Sequence, residues 1–98
     1  MKKITLKLTS GEWINLTTMV LSDSVDMETS TTDKYMRAIL LTILRQVYIK
    51  LHNKLHSLKG NNTLTLSPAE AATLALALEG RYDYQSISII GIIDQKLT

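Results

Sequence analysis

Two histidines four residues apart, His52 and His56, lie in the run LRQVYIKLHNKLHSLKG, residues 44–60. On one side of a helix this spacing suits two ligands of a zinc ion, but a stable site needs a third and usually a fourth. The chain has no cysteine, and no acid lies between Asp33 and Glu70. The stretch HNKLH also lacks the glutamate that follows the first histidine in a zinc-protease helix. The expectation is two solvated histidines, with no metal and no other cofactor. The same run offers a second chemistry. On a helical projection Arg45, His52, His56 and Lys59 cluster on one arc beside Tyr48. Cations next to an aromatic ring can hold phosphates and stack a base, which makes nucleic acid an alternative partner. The plainer outcome is a solvated helix face whose lysine stems cover apolar neighbours.

Catalysis has little to build on. Serines are plentiful, but none sits in a G-x-S-x-G nucleophile turn. Asp23, Asp26 and Glu28 crowd together without the spacing or central glycine of a calcium loop. The glycines are scattered at positions 11, 60, 80 and 91, so no phosphate loop can form. No enzymatic activity is expected.

Residues 3–9, KITLKLT, alternate strictly, with Ile4, Leu6 and Leu8 on one face of a strand. Ser10-Gly11 reads as a turn and 12–21, EWINLTTMVL, as a returning strand rich in β-branched and aromatic types. A short helix from about Trp13 is the alternative. Residues 22–33, SDSVDMETSTTD, read as an acidic loop that ends in a helix cap at Thr32 or Asp33. Residues 34–58 carry the clearest helical pattern, with Leu40, Leu44, Val47, Leu51, Leu55 and Leu58 in one stripe. Gly60-Asn61-Asn62 should end it, and TLTL at 63–66 reads as a short extended link. Ser67-Pro68-Ala69-Glu70 is a strong helix start: a serine cap, proline in the first turn and a glutamate three residues on. That helix should stop at Gly80. The isoleucines of 84–97 favour a strand by type, but their spacing favours a helix. No internal repeat is expected. The fold class is α+β, mainly α: an N-terminal β-hairpin over 1–21, the acidic loop 22–33, then a helical part over 34–98 with one long central helix and two shorter C-terminal helices.

The 98 residues suffice for a single domain with one core. A 45% hydrophobic and 20% charged composition is that of an ordinary globular chain. The net charge of +2 hides blocks: +3 over residues 1–7, −5 over 8–33, +6 over 34–69 and −2 over 70–98. Such blocks can pair within the chain or between copies. The basic start lacks the apolar stretch of a signal peptide, and no apolar run is long enough to span a membrane, so a cytoplasmic protein with no membrane partner is the default expectation.

Surface that wants a partner is what remains. Before Arg45 the long helix is apolar almost all round, and such a helix must be covered on more than one side. Tyr35, Met36, Ile39, Leu41 and Ile43 are the expected interface. The expectation is a small non-enzymatic protein-interaction module, itself a homo-oligomer, of the kind that serves as an adaptor or inhibitor of another protein. Its compactness and MKKI start fit a bacterial or phage accessory protein.

Overall fold

The computed structural model describes residues 3–30 and 33–97, with side-chain surroundings for all of these except 25–30. The chain runs β1 (Ile4–Leu8), α1 (Ser10–Ser30), α2 (Lys34–Asn53), a 3₁₀ turn (Leu55–Ser57), β2 (Asn62–Leu66), α3 (Pro68–Leu78) and α4 (Tyr84–Leu97). The α+β, mainly helical class stands, and β1 opens a two-stranded antiparallel sheet. The second strand, however, is 62–66, which takes in the 63–66 segment read as a link together with Asn62, and not 12–21. Residues 12–21 are helical, and the helix continues through 22–30, where a loop was expected; 31 and 32 lie outside the described residues.

The reason is local. Thr9 caps α1: its N–H donates to Glu12 Oε1 (2.8 Å), and the Glu12 N–H donates to Thr9 Oγ1 (3.2 Å). This reciprocal box satisfies two backbone donors that would otherwise be orphaned, and Trp13, Leu16 and Val20 then fall on one buried face at helical spacing. β-Branched types do not outweigh that combination. The equivalent box on α3 is the expected one, with Ser67 and Glu70 exchanging the same two bonds (2.9 and 3.1 Å). Asp33 caps α2 by accepting from the N–H groups of Tyr35 and Met36. Asp83 caps α4, accepting from the Ser86 N–H and hydroxyl. Residues 84–97 are a helix, as their spacing predicts.

The apolar face of the sheet, Ile4, Leu6, Leu8, Leu64 and Leu66, meets Trp13, Leu16 and Val20 of α1, Leu44, Val47 and Leu51 of α2, Leu74 and Leu78 of α3, and Ile89 and Ile93 of α4. Each fully buried aliphatic side chain contributes roughly 1.5–3 kcal/mol. The helix expected over 34–58 ends early, at Asn53. There the Leu51 carbonyl accepts from the Trp13 indole N–H (2.9 Å) and the Lys54 N–H (3.3 Å). A carbonyl so engaged tightens the last turn instead of propagating the helix. Gly60 takes no left-handed conformation; the only positive φ among the described residues is at Gly80, which follows α3.

The architecture is a repeat that composition does not announce. Thr5, Leu6, Leu8, Thr9, Glu12, Leu16 and Val20 recur 58 positions later as Thr63, Leu64, Leu66, Ser67, Glu70, Leu74 and Leu78. Leu6 pairs across the sheet with its own counterpart Leu64, while Ile4 pairs with Leu66 and Leu8 with Asn62. A pseudo-twofold axis between Leu6 and Leu64 therefore exchanges the strands. The second helices correspond too: buried Leu44, Val47 and Leu51 of α2 match buried Ser86, Ile89 and Ile93 of α4, in the same spacing. Asp23 and Arg81, again 58 positions apart, meet in an ion pair of 2.6 Å. The molecule is two interlocked strand–helix–helix units.

Candidate interaction surfaces

The inner stripe of α2 is committed to the core, so its outer side is what the helix offers. Tyr35 is 73% exposed, Met36 50%, Ile39 56% and Ile49 55%. At about 100° per residue, Tyr35, Ile39 and Ile49 fall within about 80° of arc, opposite Leu44. Two residues expected in this surface belong elsewhere. Leu41 is 8% exposed and part of the interior, and Ile43 is half-buried. The helical period puts Leu41 about 60° from Leu44, on the buried side, while Ile43 lies about 100° from Leu44, at the border of the outer arc. Ile49 was not expected there. Its spacing of fourteen from Tyr35 returns it to within about 40° of the same side.

The structure brings together only part of the basic arc. Tyr48 and His52 stack with ring centroids 5.7 Å apart. Arg45, His52, His56 and Lys59 are exposed, while Tyr48 is half-buried against the core. Because α2 ends at Asn53, His56 sits in the 3₁₀ turn and Lys59 beyond it, so they do not continue the helical arc. Lys50 and Lys54 of the same segment are engaged within the chain. Lys54 Nζ lies 5.2 Å from the centre of the Trp13 ring. Lys50 Nζ donates to Glu70 Oε1 (2.7 Å) and to the Thr65 carbonyl (3.2 Å). Burial alone would raise the Glu70 carboxyl, but Lys50 and the Ser67 N–H outweigh it and hold its pKa below the ordinary value.

Two further openings involve the C-terminal half. A groove of about 330 Å³ runs between α3 and α4 over Ala72 and Ala75, with Leu76 and Ile90 beside it. A narrower notch of about 60 Å³ lies between β1, the start of α1 and α4. Among the described residues, no group of three or more His, Cys, Asp or Glu is placed to hold a metal ion. None of the described helices is long and apolar enough to cross a membrane. No protein-family model matches the chain, and no curated protein or solved structure matches it.

Proposed function

We propose that this chain is a non-enzymatic protein-interaction module that self-associates through the outer face of α2. The observation that carries the proposal is the exposure of Tyr35, Met36 and Ile39 together on the first turns of that helix, with Ile49 on the side of Tyr35 and Ile39. Three or four large apolar groups left in water forgo several kcal/mol in a domain whose whole stability is of the order of 5–15 kcal/mol. A twofold contact between two copies of α2 covers them and closes as a dimer. Adaptor or inhibitor activity toward another protein, in the cytoplasm, is the role that fits such a module.

Light scattering on the purified chain tests this. The expected mass is a multiple of 11.0 kDa at concentrations well above micromolar. A strictly monomeric mass there removes the proposal. A second reading, nucleic-acid binding, draws on the Tyr48–His52 stack beside exposed Arg45, His56 and Lys59. The same sample with added nucleic acid at low salt tests it: a mass increase that disappears steeply with salt supports it, and no increase sets it aside.

A further inference from the structure

The pseudo-twofold axis exposes one place where the halves differ. On the β2 side, Lys50 of α2 reaches over the outer edge of the strand and closes it, bonding both the Thr65 carbonyl and the carboxylate of the capping glutamate, Glu70. Every counterpart of that arrangement is present on the β1 side except an ammonium from the second helix; the Lys7 ammonium belongs to the strand itself, on its exposed face. Thr65 corresponds to Lys7, Glu70 to Glu12, and Lys50 of α2 to Ile92 of α4. These three residues line the 60 Å³ notch. Ile92 is too short to reach and has nothing to donate.

The acceptors are nonetheless in place. In an antiparallel ladder alternate residues turn both backbone groups toward the partner strand. The Leu8 carbonyl faces Asn62, whose side-chain amide donates to it, so the Lys7 carbonyl faces the opposite edge, where β1 has no strand. Glu12 Oε1 accepts the Thr9 N–H, as Glu70 Oε1 accepts that of Ser67, and it forms no ion pair among the described residues. The apolar part of the lining, Leu6, Leu8, Ile89 and Ile92, suits a methylene stem, and Gln85 and Ser88 add polar groups. Tyr84, almost fully exposed, also lines the notch, and an aromatic face attracts a cation. A volume of 60 Å³ has room for only a few waters, which fits the end of an unbranched chain better than a ring.

We infer that the notch between β1 and α4 binds a primary alkylammonium group, a lysine side chain presented by a partner protein. The bond set is the one Lys50 makes in the other half: one charge-assisted bond to a carboxylate and one to a strand-edge carbonyl. The site lies apart from the outer face of α2 and does not depend on self-association there.

The test is titration of the ¹⁵N-labelled chain with n-butylammonium chloride and with Nα-acetyl-lysine-N-methylamide. Sodium chloride and n-butanol serve as controls. Saturable amide shifts at Lys7, Glu12, Ser88 and Ile89 are expected from both ammonium compounds and from neither control. Glu12→Gln keeps an acceptor for the Thr9 N–H and so preserves the cap, but should bind roughly tenfold more weakly. Ile92→Lys supplies the missing ammonium within the chain; it should raise the denaturation midpoint and abolish the response. Equal shifts with n-butanol, or unchanged binding by Glu12→Gln, would overturn the inference. A response to n-butylammonium but not to the lysine derivative would overturn the assignment of a protein lysine as occupant.

Discussion

Glu70 carries two jobs with one carboxylate. It closes the cap of α3 and pairs with Lys50, which ties α2 to the edge of β2. Its folded pKa lies below the ordinary glutamate value, so the stability it contributes is present above that value and is lost as pH falls through the folded one. The stability difference between the wild type and Glu70→Gln should therefore be constant from pH 7 to about 5 and shrink below about 4. Urea midpoints across this range check it, and a gap that stays constant down to pH 3 contradicts it. Asp23 and Arg81 make a second argument at this scale. Asp23 is nearly buried and accepts two bonds from the guanidinium (2.6 and 3.3 Å). Asp23→Ala should cost about 1–2 kcal/mol, because it removes a charge-assisted pair that is only partly open to solvent. The positions are equivalent across the axis, so the exchange Asp23→Arg with Arg81→Asp should recover much of the loss of either single change. A double variant as unstable as the sum of its singles would show that the pairing is not symmetric.

Each unit of the repeat is a strand that runs directly into a capped helix, and the cap decides where one stops and the other starts. Thr9→Ala and Ser67→Ala should each lower stability by about 1 kcal/mol, read as a shift in the denaturation midpoint. No shift for Thr9→Ala would argue that residues 10–21 are held in a helix by packing alone. The elements also show how far local reading extends. The Ser67 box stands out because proline and alanines follow it. The Thr9 box has the same spacing, T-x-x-E, yet Gly11 suggests a turn and the β-branched residues behind it suggest a strand. The competing signals are each worth a few tenths of a kcal/mol to about 1 kcal/mol per residue, too close to arbitrate without knowing what the segment packs against.

For the molecule as a whole, the outer and inner sides of α2 should respond differently to the same charge. Ile39→Asp places a carboxylate on the exposed side and should leave the fold intact while converting an oligomer to a monomer. Leu41→Asp buries the charge and should unfold the chain. Light scattering and far-ultraviolet circular dichroism on the two variants separate these outcomes. Unchanged mass for Ile39→Asp would locate any association elsewhere, with the α3–α4 groove the next surface to examine. The pseudo-twofold also explains why the charge blocks along the chain give no single basic face. Lys50 and Lys54 of the +6 block are spent on Glu70 and Trp13, so the cations are divided between internal contacts and solvent.

The strand at 4–8, the helix that starts at 34 and the helices over 68–78 and 84–97 follow from the sequence by itself, because each rests on a period or a cap contained within a few residues. So does the exposure of Tyr35, Met36 and Ile39, since a helix with one buried stripe must turn something outward. Tertiary structure decided the rest. Strand pairing depends on which extended segment can reach β1 with its apolar face inward, and 62–66 meets that condition only after α1 and α2 have folded back. The end of α2 at Asn53 is set by the indole of Trp13, 38 residues away in the chain. Leu41 left the expected interface because the packed side of α2 is wide enough to include it, which depends on how many neighbours the helix meets. The repeat itself rests on identical roles more than identical residues: Thr9 and Ser67 both cap, Val20 and Leu78 both fill the core, and Lys50 and Ile92 stand at matching places with opposite chemistry. Only the pairing of Leu6 with Leu64 makes that correspondence visible, because a twofold relation is a property of positions in space and leaves its mark on sequence only where packing demands the same side chain twice.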